Sequence, residues 1–346
     1  MKPCVNLRTL GYPTTGVQRY LLGLLNYMPA KLDSVKPPRA LQGIKGHLWE
    51  QFCLPTLLQR RLLWSPGNTG PIGISRQVLT VHDAASLDHP EWFERKFALW
   101  YAALLPRLIR KVSAIITVSH FSKERIVRLT GVKAERVHVI YNGVDKRFHL
   151  PEPDTFQRAR EHFGLSSPYL LFVGSLEPRK NLKRLLKAWQ SGRFDGATLA
   201  VVGATGHLFA KMNFDSVLEG VRLLGRVEDD LLPGLYSSAA GFVYPSIYEG
   251  FGLPPLEAMA CGCPVAISDI PAHREVCGEV ATYFDPFSPE EISNKLEWLL
   301  RLDGAPRTLL VEGGLRRAAG YNWERAASET WEILKLAMNG GSDQDN

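Results

Sequence analysis

The sequence predicts an α/β protein with two domains, each built on a parallel β-sheet covered by helices. Short apolar runs of strand length alternate with helical patterns along the chain, and this alternation is typical of parallel sheets whose strands are joined by helical crossovers. The chain has 346 residues, of which 45% are hydrophobic, so it can bury a large core and is long enough for two domains. Residues 151–154 are rich in proline and charge, and we place the boundary between about 145 and 167.

The first predicted domain, residues 1–150, opens with an apolar strand at residues 4–10. The turn-rich residues 11–16 follow, and a helical pattern begins at Val17. A glycine-containing loop that enters a helix N-terminus fits a phosphate contact, because free amides and the helix dipole attract anions there. An ordinary strand-to-helix turn is the more common explanation of such a loop. Residues 29–77 give no clear assignment.

A second apolar strand, residues 77–83, ends in His82 and Asp83. Ligand sites in parallel α/β sheets lie at the carboxyl ends of the strands. This position favours a functional role for both side chains. A structural hydrogen bond between the histidine and the aspartate is the alternative. A third buried strand is predicted at residues 113–119.

Residues 95–111 form a predicted amphipathic helix with a basic surface. An unbroken apolar stripe at helical spacing is made by Phe97, Trp100, Tyr101, Leu104, Leu105, Leu108 and Ile109. The cations that lie off the stripe or flank it are Arg95, Lys96, Arg107, Arg110 and Lys111. Such a stripe is more often part of a core than a membrane-facing surface, but the cations are also suited to lipid headgroups.

The second predicted domain, residues 151–325, contains four further apolar runs that are typical of buried strands. These are residues 169–174, 198–203, 239–246 and 263–268. Arg179 and Lys180 follow the first of them beside the start of a helix, and this arrangement is suited to clamping a diphosphate. Residues 203–206 form only a weak dinucleotide-binding signal, because the full glycine spacing is missing.

The most informative stretch is residues 248–262, which joins two of these strands through a loop and a helix. Pro254 and Pro255 suit the first turn of the helix, and Gly262 suits a left-handed exit from it. The loop before the helix contains two glycines, so its backbone can approach a ligand closely. It ends at a helix N-terminus, which attracts anions.

Two glutamates bracket this loop. Glu249 opens it, and Glu257 follows eight positions later in the first turns of the helix. Carboxylates accept hydrogen bonds from sugar hydroxyls, so one glutamate on each side of a phosphate-binding turn matches the hexose, diphosphate and ribose of a nucleotide-sugar. In the alternative interpretation, Glu257 only complements the helix dipole and Glu249 is solvated.

The spacing Glu-x7-Glu within "YEGFGLPPLEAMACGCPVAIS" closely resembles the signature of family 4 retaining glycosyltransferases, and of bacterial mannosyltransferases among them. The resemblance implies the GT-B fold, in which two Rossmann-like parallel-sheet domains face each other across a cleft. It also implies that Glu249 contacts the donor hexose and Glu257 the ribose. The loop that would hold the diphosphate through its backbone amides consists of Gly250, Phe251, Gly252 and Leu253.

The same resemblance assigns roles elsewhere in the chain. Residues 174–181 are similar to the family's "GxxxPRKN", residues 137–145 to its last strand of the first domain with "NGVD", and residues 322–338 to a final helix that crosses back. The further donor-binding residues that it implies are Gly16, Arg19, Gly174, Ser175, Arg179, Lys180, Arg226 and Val227. Many relatives carry arginine where this chain has Ser175, so Arg179, Lys180 or Arg19 would take more of the phosphate charge. The candidate catalytic residues are His82, Asp83, Glu249, Arg179 and Lys180.

Charge is divided unevenly between the two predicted domains. Residues 1–150 contain 22 Lys and Arg against 9 Asp and Glu, a balance of +13, whereas the net charge of the whole chain is +6. A basic half indicates an anionic partner, either nucleic acid, membrane headgroups or a phosphorylated acceptor.

Cysteine spacing and hydropathy limit the class further. The five cysteines show no paired spacing, which indicates a reducing compartment and no zinc site. Neither a signal peptide nor a long apolar segment is recognisable. Residues 339–346 are predicted to be disordered, so we discount Asp343 and Asp345 as a metal–diphosphate motif and expect no metal cofactor.

Taken with the resemblance, these features predict a hexosyltransferase that uses a nucleotide-sugar, with GDP-mannose favoured and a UDP-sugar as the alternative. The expected acceptor is a lipid-linked or growing saccharide in polysaccharide or O-antigen assembly, and the expected location is cytoplasmic and peripheral on the anionic inner face of the membrane. A sugar-nucleotide epimerase or a phosphorylase of the same fold is a further alternative. A nucleic-acid-binding protein would explain the basic half but not the paired glutamates, and we expect no nucleic acid. A nicotinamide-dependent oxidoreductase would need a complete Gly-x-Gly-x-x-Gly.

Overall fold

A computed structural model describes residues 2–11, 16–41, 43–58, 60–166, 168–175, 177–194, 196–203 and 219–339. The chain divides into two compact units, which are residues 1–143 with 322–346, and residues 144–321. The passage to the second unit therefore comes earlier than the predicted boundary at residue 150. Val144 donates its amide hydrogen to the carbonyl of Tyr321 (3.0 Å), which ties the first residue of the second unit to its last.

The first unit contains a six-stranded parallel sheet with the order β2-β1-β3-β4-β5-β6. Its strands are β1 (Cys4–Asn6), β2 (Asp33–Val35), β3 (Leu63–Ser65), β4 (Gln77–Thr80), β5 (Ala114–Thr117) and β6 (Val137–Val139). Strands β3, β4 and β5 are buried at every position, which explains their continuous apolar sequence. The predicted strand at residues 4–10 is too long, because residues Arg8–Gly11 form a 3₁₀ turn. Strands β2 and β3 lie in the region that had no assignment.

The strands of this sheet are joined by helices. The helices are α1 (Gly16–Tyr27), α2 (Gly43–Leu48), a π-helical segment (Trp49–Cys53), α3 (Leu54–Leu57), α4 (Ala85–Asp88), α5 (Arg95–Lys111) and α6 (His120–Thr130), with 3₁₀ turns at Pro90–Trp92 and Ala134–Arg136. The predicted apolar stripe of α5 divides in two. Leu105, Leu108 and Ile109 are buried in a core with residues of β4 and β5, whereas Phe97 and Trp100 are partly exposed.

The second unit contains another six-stranded parallel sheet, with the order β12-β11-β10-β7-β8-β9. Its strands are β7 (Tyr169–Val173), β8 (Thr198–Val202), β9 (Val221–Gly225), β10 (Gly241–Tyr244), β11 (Val265–Ser268) and β12 (Thr282–Phe284). Its helices are α7 (Pro153–His162), α8 (Leu182–Ser191), α9 (Leu232–Ser238), α10 (Leu253–Ala260), α11 (Pro271–Cys277), α12 (Pro289–Arg301) and α13 (Gly304–Ala319), with 3₁₀ turns at Pro178–Lys180 and Gly278–Val280. The four strands predicted in this half are confirmed as β7, β8, β10 and β11.

The last helix, α14 (Trp323–Asn339), belongs to the first unit. It packs against α1, where a Cβ atom on Gly23 would lie 2.5 Å from the indole ring of Trp323. Only a glycine on α1 lets the two helices approach this closely. Residue 339, predicted to be disordered, is the last residue of this helix, and residues 340–346 lie outside the described residues.

Each sheet has one point at which the order of its strands reverses. In the first unit it lies between β1 and β3, and in the second it lies between β7 and β10. The connections from the two strands that flank such a point run to opposite sides of the sheet, which opens a crevice at their carboxyl ends. The loops that follow β1, β3, β7 and β10 are therefore the places where a ligand site is expected in each unit.

Candidate functional site

In the second unit, the loops that follow β7 and β10 are fastened to each other. Ile247 donates its amide hydrogen to the carbonyl of Arg179 (2.8 Å). The buried side-chain amide of Asn181 donates to the carbonyls of Pro245 (3.0 Å) and Pro286 (2.8 Å). Asn181 has a φ of 59°, a conformation that asparagine tolerates better than most residues. These bonds fix the 3₁₀ turn Pro178–Lys180 against the loop after β10.

The fixed turn brings two cations onto one carboxylate. The Lys180 Nζ atom lies 2.6 Å from Oε1 of Glu249, and it also donates to the Tyr244 hydroxyl oxygen at 2.7 Å. The Arg179 guanidinium reaches the second oxygen of Glu249 through Nη1, at 3.2 Å. The side chains of Lys180 and Glu249 are only 10% and 7% exposed, so their mutual attraction is little screened by water. Arg179, Lys180 and Glu249 are called the cation cluster below.

The electrostatics of the cation cluster keep Glu249 ionised. Burial alone would raise the pKa of Glu249, but the charges of Lys180 and Arg179 overcome that effect and lower the pKa to about 2. Burial lowers the pKa of Lys180, and the Glu249 carboxylate opposes this shift. The interpretation in which Glu249 is a solvated surface carboxylate is therefore wrong.

The loop that opens with Glu249 leads into helix α10, as the sequence predicts. Gly252 precedes the helix with a φ of 99°, and Pro254 and Pro255 lie in its first turn. Gly262, just beyond the end of the helix, has a φ of 71°. Because prolines have no amide hydrogen, the amides that can bind an anion here are those of the loop and of Leu253. The N-terminus of α10 thus follows the cation cluster in the chain by only four residues.

Glu257 lies one turn into α10 and is 5% exposed. Its Oε2 atom accepts a hydrogen bond from the hydroxyl of Tyr236, at 3.2 Å. A carboxylate that only complements a helix dipole does not need to be buried, so this geometry favours a specific binding role. The residue that orients it, Tyr236, lies on α9 and carries no signal in the sequence.

Three further residues at this edge of the sheet were not singled out by the sequence. Tyr244 is the last residue of β10, Glu177 precedes the 3₁₀ turn, and His273 lies in the first turn of α11. Because ligand sites lie at the carboxyl ends of parallel strands, the position of Tyr244 at the end of a predicted strand could have identified it. Glu177 is 45% exposed and accepts from Arg179 Nε at 2.6 Å and from Ser175 Oγ at 2.8 Å.

His273 is fully buried and has one ring nitrogen satisfied. Its Nδ1 atom lies 2.9 Å from the carbonyl of Ser268, which can only accept, so the hydrogen of the neutral ring is on Nδ1. Among the described residues, Nε2 has no hydrogen-bond partner. Burial lowers the pKa of His273 to about 4, against the opposing charge of Glu249. The ring edge lies beside Gly252, whose missing side chain leaves room for it.

Glycines join the β7 loop to the β8 loop. Gly203 has a φ of 92°, and a Cβ atom there would lie 2.4 Å from the carbonyl oxygen of Gly174. Gly174 in turn donates its amide hydrogen to Val202 (3.1 Å). These contacts hold the loop after β7 against the loop after β8. The predicted donor residues Gly174 and Ser175 lie in the first of these loops and precede the cation cluster in the sequence. Residues 204–206 of the weak dinucleotide-binding signal lie outside the described residues.

Arg226 and Val227 follow β9, which is the edge strand of this sheet and lies two strands from β7. Arg226 is exposed and Val227 is 9% exposed. The structure does not bring them into the cation cluster, so their predicted contact with a nucleotide base stays a prediction.

In the first unit, His82 and Asp83 follow β4, the neighbour of β3. The His82 Nε2 atom lies 2.8 Å from the carbonyl of Pro66, so Nε2 carries the hydrogen and Nδ1 is the acceptor nitrogen. Burial lowers the pKa of His82. Asp83 accepts from the amide of Ala85 at 3.0 Å. Each side chain thus has a backbone partner of its own, and the alternative of a structural His–Asp hydrogen bond is not supported.

Gly16 and Arg19 lie in the first turn of α1. Gly16 is exposed, with nothing within 4 Å of a Cβ position built on it, and Arg19 is half-buried. The rest of the glycine loop, residues 12–15, lies outside the described residues. The predicted site residues therefore fall into two groups, with the cation cluster and Glu257 in the second unit and Gly16, Arg19, His82 and Asp83 in the first.

The described residues contain neither a cluster of metal-ligating side chains nor a membrane-spanning helix. No group of three or more His, Cys, Asp or Glu side chains is arranged there to hold a metal ion. No helix in the same part of the chain is both long and apolar enough to cross a bilayer.

Comparisons with known families and proteins match parts of both units. The family profile described as glycosyl transferases group 1 matches residues 154–314, and the one described as glycosyltransferase family 4 matches residues 61–148. The chain is 32% identical over 274 residues to O-antigen chain mannosyltransferase B of Escherichia coli, which covers 77% of this chain and 72% of that protein. It is 33% identical over 230 residues to O-antigen chain mannosyltransferase RfbU of Salmonella typhimurium, covering 66% of this chain and 61% of that protein.

A solved structure shares the fold. The crystal structure of HepE from Anabaena in complex with UDP-glucose matches with a TM-score of 0.79 at 18% sequence identity, and the match covers 97% of this chain and 100% of that chain. At this identity the likeness concerns the arrangement of the elements alone.

Proposed function

The chain belongs to glycosyltransferase family 4, and we propose that it transfers a mannosyl residue from a nucleoside-diphosphate donor to a hydroxyl of a growing or lipid-linked saccharide. Its two parallel six-stranded sheets are those of the GT-B fold. Support for mannose comes from the relatives, which are named as mannosyltransferases of O-antigen chains.

The observation that carries the proposal is the cation cluster at the strand-order reversal of the second sheet. Arg179 and Lys180 are held on one rigid turn, and the loop amides before α10 follow from the neighbouring strand. Together they offer fixed positive charge and backbone amides to a diphosphate. Glu249 is ionised and immobile, so one of its oxygens can accept hydrogen bonds from hexose hydroxyls, while Glu257 does the same for the ribose.

In the proposed reaction, the bond between C1 of the hexose and the phosphate oxygen breaks, and a bond from C1 to the acceptor oxygen forms on the same face. The acceptor loses its proton to the departing diphosphate. Negative charge grows on the leaving oxygen, so preorganised cations and amides stabilise the transition state more than the ground state. Arg179, Lys180 and the amides of residues 251–253 have this role in the proposal, with Gly16 and Arg19 as further candidates.

We propose that these groups stabilise the leaving diphosphate without a metal cofactor. Chelation with EDTA should then leave most of the transfer activity intact. Complete loss on chelation, with recovery on addition of Mg²⁺ or Mn²⁺, would contradict this part of the proposal.

For the nucleotide of the donor we favour GDP, with UDP as the alternative. A thermal-shift panel of GDP-, UDP-, ADP- and dTDP-sugars distinguishes them, because a ligand at a hundredfold excess over its Kd stabilises the folded state by about 2.7 kcal/mol. Analysis of the products with and without a saccharide acceptor then separates a transferase from an epimerase or a phosphorylase. Stabilisation by none of the four donors would contradict the proposal.

A membrane contact is proposed for helix α5 of the first unit. The N-terminal half of α5 exposes Leu99 (63%), Trp100 (38%) and Phe97 (36%) beside the exposed cations Arg95 and Lys96. Aromatic rings and cations side by side are typical of a surface that rests at the headgroup level. We propose that this surface, which we call the α5 surface, holds the enzyme on the cytoplasmic face of a membrane close to a lipid-linked acceptor.

A further inference from the structure

In this structure, the carboxylate of Glu177 accepts a hydrogen bond from the guanidinium of Arg179. One oxygen accepts from Arg179 Nε at 2.6 Å, and the other accepts from the hydroxyl of Ser175 at 2.8 Å. A carboxylate and a phosphate both accept charge-assisted hydrogen bonds from a guanidinium. Glu177 therefore uses a donor that the proposed function requires for the diphosphate.

Glu177 also cancels the charge of the site. Arg179 and Lys180 contribute two positive charges, and Glu249 and Glu177 contribute two negative charges within hydrogen-bond distance of them. The four side chains together are neutral, and withdrawal of one carboxylate leaves a net positive charge that attracts a diphosphate more strongly.

The two carboxylates differ in how easily they can withdraw. Glu249 is 7% exposed and is bonded to Lys180 as well as to Arg179, so releasing it would leave a buried charge without a partner. Glu177 is 45% exposed, and water can replace its partners at little cost because exposed ion pairs are weak. Arg179 itself is 17% exposed, so its open side faces the same solvent.

We propose that Glu177 is a positioning residue that competes with the donor diphosphate for Arg179. When the nucleotide binds, Arg179 exchanges the carboxylate for phosphate oxygens, and Ser175 holds Glu177 nearby. When the nucleoside diphosphate is ready to leave, Glu177 returns to Arg179 and speeds its release. This inference rests on the proposed function, since it assumes that a diphosphate binds at the cation cluster.

The test is the substitution Glu177→Gln, which keeps the shape and removes the charge. Titration calorimetry with GDP and with UDP is expected to show about fivefold tighter binding than in the unsubstituted protein, in line with the weakness of exposed ion pairs. In steady-state transfer, the donor KM and kcat should both fall, because the product leaves more slowly. Ser175→Ala should act in the same direction with a smaller effect.

A matched control is Glu312→Gln, which removes the same charge from an exposed helical pair with Arg316 in the same unit. It should leave the Kd for both nucleotides unchanged. Unchanged binding by Glu177→Gln would overturn the competition, and so would weaker binding, which would mean that Glu177 holds Arg179 in its active position. If the competition fails in this way but Arg179→Gln weakens nucleotide binding in the same experiment, the proposed function is still supported. If the unsubstituted protein binds none of GDP, UDP, ADP and dTDP, both proposals fail.

Discussion

Both sheets reverse their strand order, and both carry an arginine–glutamate pair at the reversal, but the two pairs are built differently. In the first unit, Arg8 and Glu50 are 4% and 1% exposed. Glu50 also accepts from Asn6 at 2.8 Å, and Arg8 also donates to Thr69 at 2.9 Å. Burial alone would raise the pKa of Glu50, yet the neighbouring His47 and Arg8 lower it.

In the second unit, the corresponding arginine keeps an open side. Arg179 is 17% exposed, and its partner Glu177 is 45% exposed. The same topological position can therefore hold either a closed network, whose hydrogen bonds are directed within the fold, or an open network that exchanges partners. The pair Arg8–Glu50 is therefore expected to serve stability, and the cation cluster to serve binding. Each of the following experiments sharpens or breaks that distinction.

The largest effect on stability is expected from Arg8→Met. It removes the positive partner and leaves the buried Glu50 carboxylate uncompensated, which should cost about 3–5 kcal/mol of unfolding free energy. Urea denaturation followed by circular dichroism measures this loss. The double variant Arg8→Met with Glu50→Leu should recover most of it, because no unpaired charge is left. A loss below about 1 kcal/mol would mean that the first network is not the closed one described here.

The next largest effect concerns the two glutamates of the loop. Glu249→Gln should lower turnover by about a hundredfold, the usual cost of losing one preorganised polar contact to a transition state, and should not weaken GDP binding. Glu257→Gln should weaken GDP binding by about tenfold, because it removes a contact to the ribose. Calorimetry and transfer assays on both variants provide the comparison. Equal effects of the two substitutions on GDP binding would contradict the division of roles.

Much of this arrangement could be predicted from the sequence, because it depends on local patterns. The spacing of Glu249, Glu257 and the prolines predicts a loop and a helix that need only one neighbouring strand on each side. The adjacent pair Arg179 and Lys180 likewise lies on one turn. Local composition was enough in these cases because the functional groups lie on a single connection.

Contacts between distant segments could not be predicted in the same way. The pair Arg8–Glu50 joins residues 42 positions apart, and His273 faces Gly252 from the helix after another strand. Both depend on which strands are neighbours, which a single sequence does not reveal. The stripe of α5 divides for a related reason, since most of it is buried as predicted whereas Phe97 and Trp100 are exposed.

A pH effect of intermediate size is expected from His273. Its pKa falls from 6.5 in the unfolded chain to about 4 in the folded one, so the unfolded state binds more protons between these values. The contribution of neutral His273 to the free energy of unfolding is fully present above pH 6.5. It is lost as the pH falls towards 4, by about 3 kcal/mol in total at 1.36 kcal/mol per pH unit. Urea denaturation as a function of pH should show this slope, and His273→Gln should reduce it. An unchanged slope would show that the ring does not titrate as its burial requires.

The smallest effect concerns the α5 surface. Binding to anionic vesicles should be measurable at low salt and fade at high salt, because the Debye length is about 10 Å at 0.1 M, whereas neutral vesicles should bind little. Charge reversal at Arg95 and Lys96 should reduce flotation more than reversal at Arg107, since the former lie beside the exposed rings. Reversal at Arg110 and Lys111, at the far end of α5, should resemble Arg107. Failure to float with anionic vesicles at low salt would contradict the proposed membrane contact and leave the proposed donor site unaffected.

The most direct test of the cation cluster is titration of the double variant Arg179→Ala with Lys180→Ala with GDP and UDP. Each substitution removes a charge-assisted contact of about 1.5–3 kcal/mol, so the better of the two nucleotides should bind at least about a hundredfold more weakly. The matched control is Lys187→Ala with Arg193→Ala, which removes the same two charge types from exposed positions of the same unit and should bind normally. Circular dichroism must show both variants folded, and Arg179→Gln alone should still weaken binding. Unchanged nucleotide affinity in the folded double variant would contradict the assignment of the diphosphate to this cluster.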